Sequence, residues 1–236
     1  MKIIVVMPAY NAGKTLCEVF ERIPNYAYKM VSEIIIVNDG SQDHTERLVS
    51  SFLMKKYPKI KLINHEMNKG YGAAQKTGYK EALKDGAEAV VLLHSDGQYA
   101  PELLLEMTVP IYNGADVVGG SRLLGGEMKK NMPLIRYYGN RFLTKLENII
   151  FNMNITTYHC GYKAYSRKAL EKIPFEKYSD NFWFDSEMMI GAKRNNLQIV
   201  EIPIPTRYAE EKSYLNPIPY GIGVLGVIIK YLTREI

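Results

Sequence analysis

The sequence predicts an α/β fold with a mostly parallel central sheet, on three observations. Short, nearly continuous runs rich in Val and Ile recur at residues 3–7, 34–37, 60–63, 89–93 and 116–119, the pattern of strands covered on both faces. Segments of helical length lie between them, at 15–23, 45–56, 71–84 and 101–112, and suit right-handed crossovers. The 236 residues, 47% apolar and 23% charged, have the balance of an ordinary globular chain long enough to bury a core. That composition excludes a disordered, collagenous, coiled-coil or disulfide-stapled protein.

Beyond Gly120 the alternation stops. A Gly-rich connection around 124–127 leads to an amphipathic helix at 134–151, with Leu134, Ile135, Phe142, Leu143, Leu146 and Ile149 near helical spacing. A loop is expected at 152–165, a helix at 184–194 and a strand at 198–202 that Pro203 and Pro205 end. With no internal repeat or linker, the second half is expected to complete the same domain.

Charge and cysteines narrow the partners. Thirty Lys and Arg against 25 Asp and Glu leave a net charge of +5, and the longest basic cluster is Lys129 and Lys130, so no nucleic-acid partner is expected. Cys17 and Cys160 are the two cysteines, and the first apolar run is too short for a signal sequence, which points to a reducing, cytoplasmic compartment. No run reaches the roughly 20 apolar residues that span a bilayer. The last segment, 218–232, comes nearest, but Pro219, Tyr220, Lys230 and three glycines interrupt it.

In parallel sheets ligands sit beyond the carboxyl ends of the strands, so the segments after each run carry the chemistry. After the second run comes Asn38-Asp39-Gly40-Ser41, a carboxylate in a tight turn that can accept from a base or ribose. Asp43 and Thr45 read at least partly as helix caps. After the fourth run, His94, Asp96 and Gln98 alternate along an extended segment and fall on one side, as a cation site bridging a diphosphate would require. Alone, such a trio is more often a solvated loop.

These segments occur in a fixed order with Asn68-Lys69-Gly70-Tyr71-Gly72-Ala73, Gly120-Ser121-Arg122, Asn140-Arg141, the run from Gly161 to Arg167 and Phe184-Asp185-Ser186-Glu187. With the Pro8-Ala9-Tyr10-Asn11 opening, the whole resembles the family 2 inverting glycosyltransferases of nucleotide-diphosphosugar transferase (GT-A, Rossmann-like) fold. The dolichyl- or polyprenyl-phosphate mannose synthase-like branch is the nearest. The resemblance implies one glycosyltransferase domain over 1–236: a nucleotide-binding half (1–120), an acceptor half (121–214) and a C-terminal helix (215–236). It implies transfer of a hexosyl group, with inversion, from a nucleoside diphosphate sugar to a polyprenyl phosphate, or alternatively to a glycan hydroxyl. It also implies nucleotide-sugar contacts at Pro8, Tyr10, Val37, Asp39, Ser95, Arg122, Arg207 and Ser213, with Lys212 assisting, and Mg²⁺ or Mn²⁺ at Asp96, Gln98 and His94.

Three positions depart from the family pattern. His94 stands where the first Asp of the metal motif is usual, and a neutral imidazole suits Mn²⁺ better than Mg²⁺. Ala12 replaces a Glu that helps hold the nucleotide, and Thr157 replaces the Asp before the Tyr-His-x-Gly loop. Asp185 and Glu187 open a helix after an aromatic run and are the candidates for catalytic base; one of the two serves equally well as a charge at the helix N-terminus.

Other readings fail on spacing. Ala12-Gly13-Lys14-Thr15 resembles a P-loop tail, but the earlier glycine falls at Pro8. Gly70-Tyr71-Gly72 lacks the third glycine of a dinucleotide fingerprint. Neither cysteine has a constellation for a thiol nucleophile, and a non-catalytic sugar-nucleotide-binding module is the remaining different class. The C-terminal segment reads either as a helix packed on the body or as one lying on a membrane interface, and peripheral, salt-sensitive membrane contact on the cytoplasmic face is expected.

Overall fold

The structure is a computed structural model and describes residues 1–124, 134–205 and 217–233. Its centre is a seven-stranded sheet of order β3-β2-β1-β4-β6-β5-β7. The strands are β1 (Ile3–Ala9), β2 (Val31–Asp39), β3 (Ile60–His65), β4 (Ala89–Leu92), β5 (Val117–Ser121), β6 (Lys163–Ser166) and β7 (Ile199–Pro203). All neighbours pair parallel except β6, which runs antiparallel to both β4 and β5.

Alternation along each strand feeds two cores. Val5, Met7, Ile34, Ile36 and Val91 face one side, against Leu16, Val19, Phe20, Val49 and Leu53. Ile4, Val6, Ile35, Val37, Val90 and Leu92 face the other, against Ala74, Tyr79, Phe184, Met188 and Val224. Burial of both faces is why these strands read as continuous apolar runs.

The helices Tyr71–Lys84, Leu134–Phe151 and Phe184–Arg194 match their expected ranges. Elsewhere the structure corrects the reading. The expected loop at 152–165 ends inside β6, a four-residue strand whose Lys and Tyr hide it from a search for apolar runs. The expected helix at 101–112 is a 3₁₀ turn, Pro101–Leu103, then turns and a short helix, Val109–Tyr112; Pro110 cannot donate within a longer helix. The segment at 45–56 is helical throughout but carries a π turn, Val49–Leu53. After Leu16–Arg22, Pro24 starts a second helix, Asn25–Met30, and Arg167–Lys172 is a helix not foreseen.

Asp116 locks the far half of the sheet. Its buried carboxylate accepts from Gln198 N–H (3.0 Å) and from Lys168 Nζ (3.1 Å). Burial pushes its pKa up, but these hydrogen bonds outweigh burial and hold it below the usual carboxylate range. Asp116→Asn is therefore expected to destabilise the fold by about 1–3 kcal/mol near neutrality. The folded carboxylate holds its proton less tightly than the unfolded one, so this stabilisation is present above the unfolded pKa of about 3.9 and is lost as pH falls through the lower folded value. Denaturation of both proteins across that range checks it: the gap between them should close on acidification.

Candidate active site

The loops following β1, β2 and β3 enclose a cavity of about 410 Å³ lined by Tyr10, Asn38, Ser41, Glu46 and residues 64–68. Reciprocal bonds hold its walls together. Asn11 N–H donates to Ser41 Oγ (2.9 Å), and Gln42 N–H donates to Asn11 Oδ1 (2.9 Å). Ala12 N–H donates to Thr45 Oγ1 (2.9 Å) and Gly13 N–H to Asp43 Oδ2 (3.0 Å). Asp43 also accepts from Thr45 N–H, so Asp43 and Thr45 stitch the two loops together; the residue at the N-cap of the helix that Thr45 opens is His44, whose side chain makes no cap bond, which corrects the expectation of a cap at Asp43 or Thr45.

Asp39 lies beneath this cavity and is absent from its lining. Strand register sets Asp39 beside His65, and an ionised carboxylate can only accept, so the 2.6 Å contact is His65 Nδ1–H donating to Asp39 Oδ1. Asp39 also accepts from Lys69 and Gly70 N–H (both 2.9 Å), which fixes the loop leading into Tyr71–Lys84. Val37 is fully buried in the core. Ser95 Oγ donates to the carbonyl of Pro8 (2.8 Å), and its own carbonyl accepts from Thr15 Oγ1 (2.6 Å), tying the β4 loop to the β1 loop.

Beyond β4 the structure assembles a buried cluster. Tyr71 OH donates to Asp185 Oδ2 (3.1 Å), which uses the phenol's one proton; Tyr71 Oη then accepts from His94 Nε2 (2.7 Å). Burial pushes the Tyr71 pKa well above its usual value, with the Asp185 charge adding to it. Burial lowers the His94 pKa despite Asp96 and Asp185, favouring a neutral ring. Asp185 is 5% exposed, and its Oδ1 lies 3.5 Å from both Gln75 Nε2 and Lys163 Nζ.

Asp96 is half-buried, and its Oδ1 accepts from Gln98 N–H (3.0 Å). Among the described residues no three His, Cys, Asp or Glu side chains gather as a metal cage. His94 has Nε2 committed to Tyr71 and retains one ring nitrogen. This donor set fits a cation that arrives on phosphate oxygens and keeps water, and it does not fit a self-sufficient protein site.

Glu187 is separated from this chemistry. It is fully buried, accepts from Ser179 N–H (2.7 Å) and faces Lys230 Nζ at 3.7 Å. The Arg122 guanidinium stacks over the Tyr99 ring, 4.8 Å from its centroid. Arg207, Lys212 and Ser213 lie outside the described residues. The sequence reading did not single out Tyr71, Gln75 or Lys163, although Tyr71 and Lys163 stand within quoted motifs; a lysine amid aromatic strand residues was the available signal for a buried ion pair.

Comparison with known proteins places this geometry. Residues 4–174 match the family described as Glycosyl transferase family 2. The UDP-N-acetylglucosamine--dolichyl-phosphate N-acetylglucosaminyltransferase of Methanococcus voltae is 34% identical over 220 residues, 88% of this chain and 86% of that protein. The polyprenol monophosphomannose synthase of Mycolicibacterium smegmatis is 29% identical over 202 residues, 85% of this chain and 76% of that one. Glucosyl-3-phosphoglycerate synthase from Mycobacterium tuberculosis, solved with UDP, superposes with a TM-score of 0.71 at 18% identity, covering 99% of this chain and 79% of that one, a likeness of GT-A-like fold. With the family match spanning most of the chain and a relative above 30% identity along nearly its whole length, this chain belongs to glycosyl transferase family 2.

Proposed function

We propose that this chain transfers a hexosyl group from a nucleoside diphosphate sugar, with inversion, to the phosphate of a polyprenyl lipid. The observation that carries the acceptor class is Asp185: its oxygens are engaged by Tyr71, Gln75 and Lys163. A hydroxyl acceptor needs a free base, whereas a lipid phosphate arrives ionised and does not. Relatives from several organisms are named for dolichyl, polyprenol or undecaprenyl phosphate acceptors, which supports the same choice.

In this reading residues 1–120 hold the nucleotide, 121–214 the acceptor and 215–236 the bilayer contact. The cavity at Tyr10 takes the nucleoside, with Asp39 and Ser95 fixing its loops, Ser95 through the Pro8 carbonyl. Arg122, Arg207 and Ser213 serve the phosphates. Asp96, with His94 and Gln98 beside it, would hold Mg²⁺ or Mn²⁺, which would supply charge neutralisation to the leaving diphosphate. Related structures containing Mn²⁺ with UDP-glucose, and the UDP-sugar named for the Methanococcus relative, make a uridine nucleotide the first donor to test. The acceptor oxygen bonds to the anomeric carbon on the face opposite the departing diphosphate, so one displacement inverts that centre.

Two helices support a bilayer as the place of work. On Leu134–Phe151, Tyr138, Phe142 and Ile149 are exposed along one face with the basic residues Arg141 and Lys145. On Pro217–Leu232, Val224, Val227 and Ile228 pack inward while Ile222, Leu225, Ile229 and Leu232 are exposed at helical spacing. No described helix is long and apolar enough to cross a membrane. An apolar stripe beside basic groups fits an anionic lipid surface.

The test joins acceptor and membrane. With radiolabelled sugar nucleotide, label should pass to undecaprenyl phosphate in anionic vesicles and not to soluble glycans. The protein should float with those vesicles at low salt and less at high salt, and Ile222→Ser/Leu225→Ser should reduce flotation without changing nucleotide affinity. Transfer to a glycan hydroxyl that Asp185→Asn abolishes, with no flotation at any salt, would replace this reading.

A further inference from the structure

Residues 158–163 run between the buried cluster and the two helices with exposed apolar faces. On the cluster side, Gly161 N–H donates to Tyr99 OH (2.8 Å). A Cβ at position 161 would sit 2.3 Å from His94 Nε2 and 2.8 Å from Tyr71 OH, so glycine alone lets the chain press against both. Two residues on, Lys163 Nζ donates to the Cys160 carbonyl (2.6 Å) and pairs with Asp185.

The same segment grips both helices. Tyr158 OH donates to Asn148 Oδ1 (3.0 Å) on Leu134–Phe151. His159 Nδ1 lies 2.6 Å from Tyr220 OH on Pro217–Leu232, and its Nε2 lies 3.1 Å from Glu147 Oε2 on Leu134–Phe151. Glu147 is fully buried and, among the described residues, neither of its oxygens accepts a hydrogen bond; the contact with His159 is close but poorly aligned. A buried carboxylate is costly without a polar neighbour, and the His159 imidazole approaches it while also holding Tyr220. One side chain thus contacts both helices from a loop that has no slack against His94.

We infer that His159 is a positioning residue for glycosyl transfer: by bridging Glu147 and Tyr220 it seats the 158–163 segment, and through Gly161 and Lys163 that segment keeps His94, Tyr71 and Asp185 in register with the helices that meet the lipid. This rests on the lipid-phosphate reading proposed above. His159 itself touches none of the reacting groups. Its effect passes through the Tyr220 hydrogen bond and the packing of the 158–163 segment, so displacement of the loop by a fraction of an ångström reaches the cluster.

The test compares His159→Phe, Tyr220→Phe and their combination with the conservative His159→Gln. Each is assayed with undecaprenyl phosphate vesicles, for UDP affinity by calorimetry with Mn²⁺ present, and for hydrogen exchange. His159→Phe is expected to lower kcat by roughly tenfold to a hundredfold with little change in KM for the sugar nucleotide, the scale on which small misplacements act. Tyr220→Phe, which removes a hydroxyl and keeps the ring, should lower kcat less, the double variant should be no worse than His159→Phe, and His159→Gln should recover most of the rate. Backbone protection should fall at 160–163 and at the start of Tyr71–Lys84. Unchanged kcat in His159→Phe and Tyr220→Phe, or a loss that appears wholly as weaker nucleotide binding or global unfolding, overturns the proposal. If the wild-type protein transfers to no isoprenyl phosphate, the acceptor reading fails separately; the exchange measurement still decides the positioning role, since unchanged protection at 160–163 in His159→Phe sinks it and a local loss there sustains it.

Discussion

Replacing Asp96 by Ala is expected to abolish transfer, with kcat falling on the order of 10³-fold or more. Asp96 is the half-buried carboxylate following β4, in a segment that Ser95 bonds to Pro8, and among the described residues nothing forms a cage to replace it. A leaving diphosphate develops charge as its bond to the sugar breaks, and neutralising that charge is worth several kcal/mol, about one tenfold step for each 1.4 kcal/mol. The same change at exposed Lys56, which makes a 3.4 Å surface pair with Glu21 and lies near the Phe52 and Tyr57 rings, should leave the rate unaltered. Transfer and Mn²⁺ binding in the presence of UDP should be measured together. An Asp96→Ala enzyme with full transfer and hydrolysis would refute the metal assignment.

Lys163→Met is expected to be the most destabilising single change in the cluster, by about 3–5 kcal/mol, the cost of stranding a buried charge. Lys163 is 1% exposed, pairs with Asp185 and donates to the carbonyls of Tyr158 (3.3 Å) and Cys160 (2.6 Å). Removing the ammonium leaves the Asp185 carboxylate with Tyr71 and Gln75 and without the cation it pairs with among the described residues. For a chain of this length the melting temperature should drop on the order of 10 °C. Lys163→Met/Asp185→Asn should regain much of the loss, because deleting both charges costs less than deleting one. Chemical denaturation of the two single variants and the double variant measures that coupling; additive effects would show that Lys163 and Asp185 do not depend on each other.

The ion pair shows where sequence reading stops. Asp185 was legible as a candidate because an acidic residue after an aromatic run at a helix start is a local pattern. Its ion-pair partner Lys163 lies on β6 and its hydrogen-bond partner Tyr71 stands 114 residues away, and no periodicity reports such meetings. Glu187, two positions on and equally acidic, looked equivalent, yet the helix turns it toward Ser179 and Lys230. Each helical residue turns about 100°, so carboxylates two positions apart point about 200° apart and take unrelated environments.

By itself the sequence determined the parallel half of the sheet, the helices at 71–84, 134–151 and 184–194, and the strand ends where chemistry gathers, because each depends on burial patterns repeated within a few residues. Only the tertiary structure decided the rest. β6 owes its place to β4 and β5, between which its four residues are wedged antiparallel; Lys163 within it is tolerated because Asp185 and two carbonyls meet it there. Asp39 went beneath the cavity because register set it beside His65. The C-terminal helix could bury either face by composition; packing against helix Phe184–Arg194, with Trp183 closing over Gly223, chose one and left the other apolar face exposed. Those outcomes depend on contacts between distant segments, whose free energy exists only once the sheet has brought them together.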